Sequence, residues 1–96
     1  MQNDKDRFLN YRVLPARFTA QEASWFLGVN EHDIPILVRA AILKPLGHPP
    51  QTGVKYFARA ELEELSRQPK VLARLSDALY AHWQRKNDRA VDPSRN

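Results

Sequence analysis

With 96 residues, 43% of them apolar and 27% charged, the chain has the length of one domain and the composition of a soluble globular fold. It contains no cysteine, which excludes a disulfide framework and a thiolate metal site, and His32, His48 and His82 follow no zinc-binding spacing, so neither metal nor cofactor is expected. The net charge of +4 is unevenly spread: residues 19–43 carry one Lys or Arg against three acids, whereas 44–60 carry three cations and no acid, and both ends of the chain are positive.

No apolar run approaches a membrane span, and the polar "MQNDKDR" start has no signal-peptide core. The expectation is a cytoplasmic protein without a membrane partner. Residues 1–17 read as an N-terminal arm. Phe8, Tyr11 and Val13 are too irregularly spaced to define an element, beyond a possible short strand packing on the domain.

"FTAQEASWFLG" is clearer. Thr19 followed three residues later by Glu22 is a capping box that starts a helix, and Gly28 supplies the backbone freedom that ends it after about Leu27. Ala20, Ala23, Ser24 and Leu27 share its inner face. Trp25 points away from them, covered by the arm or exposed to a partner.

The next helix starts at Asn30 or Asp33 and is expected to run to about Leu43, with Ile34, Leu37, Val38 and Ala41 inward. Pro35 belongs in its first turn, which favours Asp33 as the cap. The outward face then comprises His32, Ile36, Arg39, Ala40 and Leu43. In "KPLGHPPQTGVKYF", extended pieces around Leu46 and from Val54 to Phe57 suggest a β-hairpin, with Phe57 rather than Tyr56 facing the core. "ARAELEELSR" reads as a short helix with Leu62 and Leu65 inward. Pro69 interrupts or restarts the chain.

A C-terminal helix over 69–86 carries a stripe of Leu72, Leu75, Leu79 and Trp83, with His82 at its boundary. The stripe can close the domain's own core or pair two copies into a homodimer. Lys70, Arg74, Arg85 and Lys86 lie off it, where they either hold phosphate or only solvate the face, and the expected DNA reading takes phosphate contacts from this helix as well as from the wing. Residues 87–96 have little to bury and are expected to be disordered.

Helix, tight turn, helix, hairpin and helix follow one another in the order of a winged helix-turn-helix. Over Phe18 to about Leu65 the chain resembles the MerR-like and excisionase-type DNA-binding domains. The resemblance rests on Gly28-Val29-Asn30 at the turn, Ala41-Ile42-Leu43 before the wing, and Lys55-Tyr56-Phe57 followed by Glu61-Leu62 after it. It implies a mainly α fold with a small β-hairpin wing over 18–68, its second helix in the major groove and its wing on the phosphate backbone.

The candidate DNA-binding residues are His32, Arg39, Lys44, His48, Gln51 and Lys55, with Thr52 beside them. Arg39 can hold a guanine edge in two places, or it can stand in solvent paired with Glu31. Asp33 and Pro35 depart from the family, because the acid would repel phosphate and the proline offers no donor at the helix start. The expected function is therefore a transcriptional regulator or excisionase-like architectural factor that binds double-stranded DNA with weak base readout. The alternative is a protein-interaction module presenting Trp25, Ile36 and Leu43. There is no phosphate-cradling glycine loop, nucleophile elbow or acid-base set, so no catalytic residue and no small-molecule substrate is expected.

Overall fold

The computed structural model describes residues 2–11 and 13–90. In chain order it contains α1 (Gln2–Leu9), β1 (Arg17–Thr19), α2 (Ala20–Leu27), a single 3₁₀ turn (Glu31–Asp33), α3 (Ile34–Arg39), β2 (Tyr56–Ala58), α4 (Arg59–Ser66) and α5 (Pro69–Ala90). The fold is mainly helical, with one small antiparallel sheet. Among the described residues, no helix is long and apolar enough to cross a membrane.

The N-terminal segment, expected as an arm, forms a helix. Asp4 in its first turn and Arg7 in its last complement the helix dipole. Its anchor is Phe8, which is buried edge-on against Phe18 at 5.3 Å between ring centroids and tilted against Trp25 at 5.6 Å. Trp25 is thus half-buried under α1. Tyr11 and Val13, beyond that anchor, are exposed.

The capping box closes as its spacing requires. Thr19 Oγ1 accepts from the Glu22 amide at 3.1 Å, and Glu22 Oε1 accepts from the Thr19 amide at 2.9 Å. At the other end of α2, Gly28 takes the left-handed conformation with φ 77°, and its amide and that of Val29 both bond the Ser24 carbonyl.

The sheet corrects the expected hairpin. The partner of β2 is β1, in antiparallel register with Phe18 opposite Phe57, and both rings are buried. Around Leu46, only the Leu46 amide joins in, bonding the Tyr56 carbonyl at 2.8 Å. Pro45, Pro49 and Pro50 lack amides, so that stretch cannot donate a full ladder, whereas β1 can. Arg17 stacks its guanidinium 4.1 Å from the centre of the Tyr56 ring and clasps the ribbon from outside.

The helix α3 is shorter than expected. It ends at Arg39, and Ala41 adopts a left-handed φ of 61° so that the Ile42 and Leu43 amides both return to the Leu37 carbonyl. Past that reversal the helical wheel no longer applies, and Leu43 turns into the core instead of onto the outward face.

Ile36 is also buried, at 7% exposure, for a different reason: α5 packs across α3 and covers it. The stripe on α5 therefore serves this chain's own core, where Leu75 is buried and Val71, Leu72 and Leu79 pack beside it. Pro69 opens α5 at a position where a missing amide costs nothing. The helix continues through residues 87–90, which were expected in the disordered tail, while 91–96 lie outside the described residues.

Asp33 links these elements. It is 5% exposed. One carboxylate oxygen accepts from the Asn30 amide at 3.0 Å and the other from the Trp83 indole at 2.9 Å, fifty residues away. Removing a donor from a buried carboxylate costs about 1–3 kcal/mol. Trp83→Phe, which keeps the ring and deletes the N–H, is therefore expected to lower unfolding stability by about that amount in a urea titration. Unchanged stability would show that the bond does not anchor α5.

Candidate nucleic-acid interface

Arg39 ends α3 on the exposed side of that helix, and no ion pair to it occurs among the described residues, the Glu31 pairing included. It borders three clefts, the third of which adjoins the second between α3 and α5 and shares Arg39, His82 and Arg85 with it. The first lies between α3 and the loop before β2 and is lined by Pro35, Val38, Arg39, Gln51, Gly53 and Lys55 over a floor that includes Phe57. The second lies between α3 and α5 and is lined by Arg39, His82, Arg85 and Lys86. None of the three contains an Asp or Glu.

The loop wall of the first cleft is set by a turn. The Gly53 amide bonds the Pro50 carbonyl at 2.9 Å, and a Cβ on Gly53 would lie 2.9 Å from the Pro50 ring, so only glycine fits there without displacement. The turn brings Lys55 back toward Gln51, whose carbonyl accepts from Lys55 Nζ at 3.0 Å. Arg39, Gln51 and Lys55 are thus gathered on one concave surface.

The other expected contacts are not part of it. Lys44 lines a separate groove whose lining also includes Glu61 and Glu64. His48 and His32 are exposed, on the loop and on the 3₁₀ turn respectively, and line none of the three clefts. The expected repulsion of phosphate by Asp33 is also corrected, because its carboxylate is turned inward and occupied by two donors.

The surfaces assigned to a protein partner change too. Ile36 and Leu43 are buried, and Trp25 is half-buried against Phe8. Arg85 and Lys86, which lie off the apolar stripe and were expected either to hold phosphate or to solvate the face, line the second cleft together with His82, which had read as a boundary residue. Their meeting with Arg39 depends on how α5 crosses α3 and has no signal in the sequence.

Among the described residues, no group of His, Asp or Glu could hold a metal ion. No protein-family model, curated protein or solved structure matches the chain.

The covering of α3 by α5 separates two neighbours on one short helix. Ile36→Ala is expected to cost about 2–5 kcal/mol of unfolding stability, as for a packed core side chain, while Arg39→Ala changes it by no more than about 0.5 kcal/mol. Thermal and urea melts of the two variants measure the contrast. Equal, small effects would mean that α5 does not cover Ile36.

Proposed function

We propose that this chain is a small duplex-DNA-binding protein of winged helix-turn-helix type, acting as a regulator or an excisionase-like architectural factor. The observation that carries the reading is the surface around Arg39. Clefts free of carboxylates flank Arg39, one between α3 and the Gln51–Lys55 turn and the others between α3 and α5. A polyanion gains most where cations are unpaired, because each neutralised phosphate releases condensed counterions.

The order of α2, tight corner, α3, proline-rich loop and β2 supports the fold type. In that arrangement α3 faces the major groove with Arg39 as its base-contacting side chain, and Lys55 reaches a phosphate from the loop. Base readout is weak, since Pro35 and Ala40 offer no hydrogen-bond donors from their side chains. Of the three residues named for the protein-interaction alternative, Ile36 and Leu43 are buried and Trp25 is half-buried, which weakens that reading.

The test is a fluorescence-anisotropy titration of a random-sequence 20-base-pair duplex (about two helical turns) at several salt concentrations. Affinity is expected to fall steeply with salt. Arg39→Ala and Lys55→Ala should each lower the slope of log affinity against log salt by about 1, and Lys44→Ala should lower it by less. Absence of binding at about 50 μM in low salt, within the range of ordinary non-specific affinities, overturns the reading.

A further inference from the structure

We infer that the cleft between α3 and α5 is a phosphate seat, a second backbone contact in which α5 takes part directly. The inference rests on the duplex reading for the source of the phosphate, but its α5 residues lie outside the cleft at the Gln51–Lys55 turn.

Arg39 comes from one helix and His82, Arg85 and Lys86 from another, and together they line a cavity of about 380 Å³. Three cations drawn together repel one another, and no carboxylate in the cleft offsets them. Cations in the last turns of a helix also complement its dipole, which accounts for Arg85 and Lys86 being basic. It does not account for their convergence with Arg39, which belongs to a different helix. A tetrahedral oxyanion accounts for both: its oxygens accept from guanidinium and ammonium donors on several sides at once.

The seat is held in place before any ligand arrives. The indole of Trp83 is anchored by its N–H to the buried Asp33, and Lys86 Nζ lies 5.4 Å from the centre of that ring. The His82 ring meets the same indole edge-on at 5.0 Å. One hydrogen bond to α3's own entrance residue therefore positions both His82 and Lys86 beside Arg39. The carboxylate that makes this bond is buried and does not line the cleft. Of the possible sources, a duplex backbone fits best, because Arg39 also borders the cleft at the Gln51–Lys55 turn and so joins the two sites.

The experiment has two arms, each on the full chain. In the first, inorganic pyrophosphate is titrated against ¹⁵N-labelled protein. Saturable shifts are expected at Arg39, His82 and Arg85, and they should be lost in the Arg85→Gln/Lys86→Gln variant; the absence of such shifts overturns the seat.

In the second, the same variant is compared with Lys5→Gln/Lys70→Gln, which removes equal charge from exposed positions outside the cleft. The cleft variant should lower the salt slope for the random duplex by about 2, and the control by much less. Equal slopes for the two variants overturn the seat while leaving duplex binding by α3 and the Gln51–Lys55 loop intact. Pyrophosphate shifts in a protein that binds no duplex support the seat and overturn the duplex source. Both side chains in the variant are exposed, and matching thermal melts verify that its fold is unchanged.

Discussion

The arrangement depends on a buried acid with two donors. A carboxylate taken out of water must be met by hydrogen bonds or it destabilises the fold. Asp33 meets that demand with the Asn30 amide on one oxygen and the Trp83 indole on the other. The first bond tightens the corner that leads into α3. The second ties the far half of α5 to the start of α3, so the angle at which α5 crosses is set by a directional contact as well as by packing. The same two bonds turn the negative charge inward, and the surface around Arg39 is left with cations alone.

The sheet performs a comparable closure at the other end of the domain. Phe18 and Phe57 face each other across two three-residue strands, and Phe8 from α1 seals the aromatic cluster. The guanidinium of Arg59 extends the closure, donating to the Leu14 carbonyl while its backbone amide bonds Ala16. The segment between α1 and β1 is thereby fastened to the start of α4. Strands this short would be marginal alone; they persist because aromatic burial on their inner face and cation stacking on their outer face act together.

Local chemistry was legible and long-range chemistry was not. Thr19 with Glu22, Gly28 at the end of α2, and Pro35 and Pro69 at helix starts each impose their outcome within a few residues, and each does so in the structure. Phe57 as the inward member of its pair follows from strand alternation in the same way. What failed required knowledge of partners distant in sequence. Ile36 looked outward on a wheel that knows nothing of α5. Leu43 was assigned by a periodicity that ends at the left-handed Ala41, where nothing in a non-glycine residue announces the reversal. The strand partner was sought next door, although three prolines had removed the donors there and Arg17–Thr19 could supply them. For the site, Arg39 and Lys55 were visible as candidate contacts, and Arg85 and Lys86 as cations off the apolar stripe; that His82, Arg85 and Lys86 converge on Arg39 follows only once two helices cross.

The brevity of α3 has its own meaning. Six residues rise about 9 Å along the axis, and base pairs are stacked about 3.4 Å apart, so this helix can lie alongside only about three steps of a duplex. A word of that length recurs throughout any genome. Under the proposed duplex reading, a single copy would mark double-stranded DNA without addressing one locus, and selectivity would come from several copies set side by side or from the way the sequence bends.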